Sequence, residues 1–337
     1  MIIAVALFVF LAAIIVVAGT FLTRSADAIA ELTGLGRLLV GSVLLAGATS
    51  LPELTVDISA IRLNLPNLAV GDLVGSSLMN LLILAMMDLS HHSRGKMLSR
   101  AAAAHALSGA LSIALTAAVG VGLLVARQLP VFAMGGAHVF VWLVAIGYLF
   151  GVRMVYLDQR IAVRALAEQQ PIIDESRPRG KLLRNVLSFG GAAAVIFLVG
   201  PHLAETAGEI AERSGLGNSF VGTTFVALST SLPELVASIT ALRMGALDLV
   251  IGNIFGSNAF NMLLFLPLDL VFPGTLFAVA SPVHVITVLT VVLATSVVIM
   301  GQLYQQESRR RLLEPDAWLV ILLVLGALYL VFAIPQA

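Results

Sequence analysis

The chain has 337 residues, of which 59% are hydrophobic and only 11% are charged, and its mean hydropathy is +1.02. A soluble domain carries about 25% charged residues, so this composition indicates a polytopic integral membrane protein. The formal net charge is zero and there are no cysteines. These values argue against a nucleic-acid-binding surface and exclude disulfide and thiol chemistry.

Ten apolar segments are long enough to cross a bilayer as helices, which takes about 17–25 residues each. The first begins MIIAVALFVFLAA and lacks the basic start of a secretory signal, so we expect a transmembrane helix there. The sequence therefore predicts an all-α fold. The predicted spans are 2–23, 38–61, 67–89, 101–126, 129–152, 185–206, 218–242, 247–270, 274–303 and 316–335.

The longest polar interruption separates the spans into two groups of five. It predicts a first repeat at 1–155, a linker at 156–184 and a second repeat at 185–337. If the N-terminus lies outside, 16 of the 19 Lys and Arg residues fall in cytoplasmic segments and 3 fall outside. This bias follows the positive-inside rule. We therefore expect both termini outside, a cytoplasmic linker and a location in the plasma (cell inner) membrane.

The chain also contains an internal duplication. The stretch GSVLLAGATSLPELTVDISAIRLNLPNLAVGDLVGSSLMN (41–80) matches GTTFVALSTSLPELVASITALRMGALDLVIGNIFGSNAFN (222–261) without a gap, at an offset of 181 residues. Because five is an odd number of spans, the second copy begins on the opposite side of the membrane. The sequence thus predicts two inverted five-helix repeats, an architecture that binds its substrate near the bilayer midplane between the repeats.

Each T-S-L-P-E motif places oxygen atoms at a break in a membrane helix. Pro52 and Pro233 have no N–H, so the carbonyls of Ala48 and Ser229 lose their helical partners. In a membrane such carbonyls are tolerated only against protein or a water-filled cavity. Hydroxyl and carboxylate oxygens, which suit Na⁺ and Ca²⁺, follow on the adjoining turns: Thr49, Ser50 and Glu53, then Thr230, Ser231 and Glu234.

The next duplicated element, GDLVGSSLMN or GNIFGSNAFN, supplies further oxygens. Its glycines recur every four residues and permit close helix approach. Ser76 and Asn80 lie one helical turn apart on one face, as do Ser257 and Asn261. These side chains either ligate a cation or form interhelical hydrogen bonds. With two glutamates, the set can neutralise a Ca²⁺ ion, which takes 6–8 oxygen ligands.

These motifs resemble the two α-repeats of the cation/Ca²⁺ exchanger superfamily, whose signature is G-T-S-x-P-E followed by G-S-N and a later N. The resemblance covers 41–90 and 222–271, and the family's ten-helix inverted-repeat fold agrees with the predicted spans. It implies a secondary antiporter that exchanges Ca²⁺ for Na⁺ by alternating access, without a cofactor. Its expected partners are inorganic cations and membrane lipid, with no protein partner or nucleic acid. The ligands carried over by position are Thr49, Ser50, Glu53, Ser76, Asn80, Thr230, Ser231, Glu234, Ser257 and Asn261.

The chain departs from the family pattern at two positions that bear on which counter-ion is exchanged. Asp57 follows Glu53 by one turn, where the second repeat has Ser238, and Asp72 stands where the second repeat has Asn253. Extra carboxylates can add a proton or cation site, so H⁺ remains the alternative counter-ion. The signature itself also differs at three positions, Ala48, Ser77 and Ser229.

Two other functional classes fit the sequence less well. An intramembrane enzyme would need a catalytic set, and the chain shows no Ser/His/Asp set, cysteine nucleophile or H-E-x-x-H motif. A channel usually builds its pore on an axis between subunits, whereas a site duplicated in opposite orientations fits alternating access. Asp88 and Asp269 also correspond between the repeats. They fall near the ends of spans, and we expect them to be solvated at the membrane interface.

Overall fold

The computed structural model describes residues 2–90, 102–126, 128, 133–169, 179–213, 226–303 and 315–334. These residues are almost entirely helical, as the composition predicts. A π-helical turn, Val40–Leu45, interrupts the second span, and a hairpin of two short strands, β1 (Ala133–Met134) and β2 (Ala137–His138), precedes the fifth. The α-helices are α1 (Ile2–Thr33), α2 (Arg37–Leu39), α3 (Ala46–Thr49), α4 (Leu51–Arg62), α5 (Pro66–Ser90), α6 (Ala102–Val125), α7 (Val139–Gln169), α8 (Arg179–Arg213), α9 (226–230), α10 (Leu232–Arg243), α11 (Leu247–Val271), α12 (Leu276–Val279), α13 (Val283–Leu303) and α14 (Pro315–Ala333).

Nine helical segments within the described residues are long and apolar enough to cross a membrane. The seventh predicted span, 218–242, is not among these nine because it begins outside the described residues, and its described part is α9 followed by α10. The duplicated helices match in length: α4 and α10 have 12 residues each, and α5 and α11 have 25 each. The protein is therefore an integral multi-pass membrane protein with the repeated helices that the sequence predicts.

Several helices extend beyond their predicted spans. α1 continues to Thr33 instead of ending near residue 23, and α7 and α8 enter the predicted linker from both sides. Span lengths were predicted from apolar runs, and a helix that leaves the bilayer no longer needs apolar residues. At the end of α1, Arg37 bonds Asp27 at 2.5 Å and Glu31 at 2.7 Å. These ion pairs tie the polar extension of α1 to the start of the second span.

Two predicted spans were placed wrongly at their beginnings. The fifth was predicted to start at residue 129, but residues 133–138 form the β1–β2 hairpin and the helix begins at Val139. The ninth, predicted as 274–303, is divided into α12 and α13. Pro282 lies at the division and disfavours helical conformation in the residue before it, so only Val283–Leu303 is a long helix.

Asp269 joins these two irregular segments. Its side-chain oxygens accept hydrogen bonds from the backbone N–H groups of His138 and Leu276, both at 2.6 Å, and the residue is fully buried. The expectation that Asp269 is solvated at the interface is therefore wrong. A carboxylate can be buried in this position because two donors satisfy it, and its role is to hold the hairpin and α12 against α11.

The centre of the molecule is a close contact between α11 and the π-helical turn. A β-carbon added to Gly252 would lie 2.7 Å from the carbonyl oxygen of Leu38, and one added to Gly256 would overlap the backbone of Ser42. Glycine is therefore required at both positions, as close helix packing predicts. The matching first-repeat glycines contact side chains instead: His284 lies near Gly71, and Ala227 lies near Gly75.

The predicted orientation can be checked by cysteine labelling, since the natural chain has no cysteine. Leu63 is 72% exposed in the turn after α4, and Lys181 is exposed in the first turn of α8. We expect Leu63→Cys to react with an impermeant maleimide only from outside and Lys181→Cys only from the cytoplasm, because of the Lys and Arg distribution. Labelling of both positions from the same face would contradict the inverted arrangement.

Candidate cation-binding site

Both T-S-L-P-E motifs break their helices at the same residue. Ser50 (φ −87°, ψ 12°) separates α3 from α4, and Ser231 (φ −78°, ψ 3°) separates α9 from α10. Each proline lies in the first turn of the helix that follows, where its missing N–H removes no bond within that helix. The loss of a helical partner predicted for Ala48 and Ser229 assumes a helix that continues through the proline, whereas the structure ends one helix and begins the next at the serine. Two half-helices therefore meet end to end in each repeat, and this brings polar side chains into the interior of the membrane domain.

All of the side chains predicted as cation ligands are buried. Each one is at most 1% exposed, although all are polar or charged. Polar groups at such depth require partners. The hydrogen bonds that these side chains make, and those that they lack, therefore bear on what the site can bind. The buried set comprises Thr49, Ser50, Glu53, Asp57, Asp72, Ser76, Asn80, Thr230, Ser231, Glu234, Ser257 and Asn261.

Threonine and serine hydroxyls connect the two repeats in matched pairs. The Thr49 hydroxyl lies 3.4 Å from that of Ser257, and the Thr230 hydroxyl lies 3.2 Å from that of Ser76. These pairs are equivalent under the duplication. The broken helix of each repeat therefore contacts the glycine-rich helix of the other, which places the two motifs in one cluster.

A second pair of contacts follows the same symmetry but differs in charge. Thr49 donates to the amide oxygen of Asn253 at 3.3 Å, and Thr230 donates to a carboxyl oxygen of Asp72 at 3.1 Å. Asn253 and Asp72 occupy equivalent positions of the two repeats. The site is consequently neutral at one of these positions and can carry a negative charge at the other.

The two central glutamates have unequal partners. Glu234 Oε1 accepts hydrogen bonds from Ser50 at 3.2 Å and from Ser257 at 3.4 Å, while neither oxygen of Glu53 receives one from the described residues. Both carboxyl groups are fully buried, and Ser50 of the first motif, three residues before Glu53, donates to Glu234 of the second. Like charges in a low-dielectric interior repel one another strongly. A cation among them would remove this repulsion.

The asparagines of the site fall into two groups. Asn80 donates to the amide oxygen of Asn258 at 2.9 Å, and Asn258 in turn donates to the Ser77 carbonyl at 3.1 Å. Asn80 therefore forms an interhelical hydrogen bond, which was the alternative to cation binding predicted for it. Its own amide oxygen receives no hydrogen bond from the described residues. The Asn261 amide and the Ser231 hydroxyl have no hydrogen-bond partner within the described residues.

Two residues of the cluster were not predicted as site residues, Asn253 and Asn258. Each corresponds to a position where the first repeat differs, Asp72 and Ser77 respectively. The signal was available in the duplication: two positions facing the same site vary in chemical type while their surroundings remain the same. The shared motif indicated only the residues that are identical in both repeats, and Asn253 and Asn258 are not among them.

The sequence is similar to that of a known protein family and to those of several individual proteins. A sequence model of the family described as "Sodium/calcium exchanger protein" matches residues 3–151 and 184–334. Inner membrane protein YrbG of Escherichia coli (strain K12) is 28% identical over 279 residues, covering 81% of this chain and 82% of that protein. Sodium/calcium exchanger MaX1 of Methanosarcina acetivorans is 34% identical over 93 residues, or 28% of this chain and 27% of that one.

Among solved structures, the fold matches that of the sodium-calcium exchanger NCX_Mj, crystals of which were soaked with Na⁺ and Sr²⁺. The TM-score is 0.70 over 99% of each chain, at 17% sequence identity. The family match and the fold together define a membrane transporter. By the extent of the family match, the chain belongs to the sodium/calcium exchanger family, and the resemblance drawn from the duplicated motifs is confirmed.

Proposed function

We propose that this protein is a secondary antiporter that exchanges Ca²⁺ for Na⁺ across the cell inner membrane by alternating access. The observation that carries the proposal is the pair of fully buried glutamates, Glu53 and Glu234, one from each repeat, within one cluster of hydroxyl and amide oxygens. The named functions of relatives such as MaX1 support the same ions. The proposal includes the predicted orientation, with both termini outside, and the two repeats at 1–155 and 185–337.

The charges of the site favour these two ions. Two carboxylates balance one Ca²⁺ or two Na⁺, and both ions prefer hard oxygen ligands. A buried carboxylate pair without a cation is costly because each charge is desolvated and repels the other. One set of ligands can therefore hold either ion in turn, which is the requirement for exchange. The proposed ligands are Thr49, Ser50, Glu53, Ser76, Asn80, Thr230, Ser231, Glu234, Ser257 and Asn261.

The experiment that tests the proposal is ⁴⁵Ca²⁺ uptake into proteoliposomes with one gradient imposed at a time. We expect uptake when the vesicles contain Na⁺ and the bath does not, and only background uptake when no counter-ion is inside. Uptake without any counter-ion would indicate a channel. Absence of uptake under every gradient would contradict Ca²⁺ antiport.

A second candidate is Ca²⁺ antiport coupled to H⁺. It is supported by Asp57 and Asp72, two buried carboxyl groups that replace Ser238 and Asn253 of the second repeat. In the same vesicles, an outward-directed H⁺ gradient would then drive uptake without Na⁺. Uptake driven by Na⁺ at equal pH on both sides would favour the first candidate.

We also expect the exchange to be independent of K⁺. Asn261 provides an amide oxygen without charge, so the central glutamates have little remaining attraction for a K⁺ ion beside Ca²⁺. Replacing K⁺ by choline should leave Na⁺-driven ⁴⁵Ca²⁺ flux unchanged. Asn261→Asp adds a third charge among like charges and should change cation selectivity or the pH dependence of flux. A strict K⁺ requirement in the unmodified protein would show that this count of charges is incomplete.

A further inference from the structure

A cavity of about 570 Å³ lies along the contact between α1 and α8, the first long helix of each predicted repeat. Its walls are apolar side chains of both helices, and several of them are largely exposed: Phe10 by 61%, Val17 by 57% and Phe21 by 56%. Gly191 of α8 also lines it, and a β-carbon added there would meet nothing within 4 Å. The cavity is therefore an open apolar groove between the two helices.

The groove has about the length of one leaflet of a bilayer. Phe10 and Phe21 are the first and last of its lining residues on α1, and the helix between them rises about 16 Å. This is about half of the roughly 30 Å hydrocarbon core of a membrane. At the Phe21 end, Ser25 donates a hydrogen bond to Ser188 of α8 at 2.9 Å, which joins the two helices. Under the predicted orientation, this end of the groove lies on the cytoplasmic side.

Basic side chains continue the same helix faces beyond the cytoplasmic end of the groove. Arg24 follows Phe21 by three residues on α1, and Arg184 precedes Ser188 by four residues on α8. These spacings place each arginine on the face of its helix that lines the groove. Lys181 lies one turn further along α8 on that face. All three are exposed, and none forms an ion pair with another described residue.

The opposite end of α8 has a different arrangement of charge. There, His202 contacts Glu205 at 3.3 Å, and Arg213 pairs with Glu209 at 2.7 Å. Each basic side chain at that end therefore has a carboxylate beside it, and the carboxylates repel an anion. Within the described residues of α1 and α8, the positive charge that remains unpaired lies at the cytoplasmic end of the groove.

We propose that the groove binds an anionic phospholipid of the cytoplasmic leaflet, with one acyl chain between α1 and α8 and its phosphate beside Arg24 and Arg184. An acyl chain matches the groove in length and polarity, and each methylene group that it buries strengthens binding about fourfold. Basic side chains at the cytoplasmic end of membrane helices attract anionic headgroups. The lipid site does not depend on which cations the protein exchanges.

Native mass spectrometry of the purified protein in detergent tests the headgroup. Phosphatidylglycerol and phosphatidylcholine with the same acyl chains are titrated separately, and bound lipid is counted per chain. We expect one phosphatidylglycerol to bind about 25-fold more tightly than phosphatidylcholine, because each arginine near an anionic headgroup contributes about fivefold. The double variant Arg24→Gln with Arg184→Gln should lose this preference. Arg153→Gln, which changes an exposed arginine of α7, should keep it. Equal affinity for the two lipids in the unmodified protein would overturn the proposal.

A matched pair of glycine variants tests the groove itself. Gly191→Leu places a side chain in the groove without a clash, and Gly190→Leu adds the same side chain at a neighbouring open position that does not line it. We expect Gly191→Leu to weaken phosphatidylglycerol binding about 15-fold, the effect of two displaced methylene groups, and Gly190→Leu to leave it unchanged. Ala13→Leu, which narrows the groove from α1, replaces Gly191→Leu if that variant does not fold.

Two results would overturn the lipid site. The first is phosphatidylglycerol binding that is unchanged in the groove variants. The second is a dimer in the unmodified protein that Gly191→Leu dissociates while lipid binding is retained, since the groove would then be a contact between two copies of the chain.

Discussion

Glu53→Gln and Glu234→Gln should each abolish Ca²⁺ exchange while the protein still folds and inserts. Glutamine keeps the shape and an acceptor oxygen, so the hydrogen bonds from Ser50 and Ser257 to position 234 can persist. The substitution removes one of the two negative charges that would hold Ca²⁺ in a desolvated site. Breaking such a buried pairing of opposite charges costs about 3–5 kcal/mol. The expected loss is about 10²–10⁴-fold in Ca²⁺ affinity, measured as Na⁺-driven ⁴⁵Ca²⁺ uptake.

The matched control for these substitutions is Glu205→Gln. Glu205 is 74% exposed and contacts His202 in an exposed i,i+3 pair, which is worth little in water. We expect this variant to transport Ca²⁺ as the unmodified protein does. If either central variant kept near-normal flux, the assignment of the paired glutamates as ligands would be wrong.

Gly256→Ala should strongly destabilise the fold, and the equivalent change Gly75→Ala should not. The added β-carbon at Gly256 would overlap the Ser42 backbone, whereas at Gly75 it would lie 3.5 Å from the Ala227 side chain, an ordinary contact. Overpacking of a close helix contact costs about 1–3 kcal/mol or more, and backbone atoms cannot move aside as a flexible side chain can. At Gly75, by contrast, alanine improves helix propensity by about 1 kcal/mol.

Thermal unfolding in detergent, followed by size-exclusion chromatography, measures both glycine variants. We expect a lower midpoint and less folded protein for Gly256→Ala, and an unchanged or higher midpoint for Gly75→Ala. Equal midpoints for the two variants would contradict the close backbone contact between α11 and the π-helical turn.

The fold could be predicted from the sequence because the length of each apolar segment and the internal duplication can both be read directly from the order of the residues. A bilayer imposes a minimum helix length, and the unbroken match of 41–80 with 222–261 identifies the repeat. The length of an apolar segment does not predict how far a helix continues into polar residues. The extension of α1 to Thr33 carries ion pairs with Arg37, a residue of the next helix, and the burial of Asp269 depends on donors from two other segments.

That the predicted residues lie in one buried cluster could be expected from the sequence, while their hydrogen-bond pairing could not. Proline and the conserved spacing within the duplication point to Glu53 and Glu234, but a symmetric motif cannot reveal that only Glu234 receives hydrogen bonds from the described residues. Similarly, Asn80 was selected for its position, and the structure pairs its amide group with Asn258. Such contacts depend on how helices distant in sequence pack together.

The central claim is that one buried site holds Ca²⁺ or Na⁺ in turn, and equilibrium ⁴⁵Ca²⁺ binding to the purified protein tests it most directly. We predict saturable Ca²⁺ binding that Na⁺ displaces and choline does not, and that is lost in both Glu53→Gln and Glu234→Gln. Two carboxylates that balance either one divalent or two monovalent cations require this competition. Ca²⁺ binding that is indifferent to Na⁺, or that survives removal of either glutamate, would contradict a shared site between the two repeats.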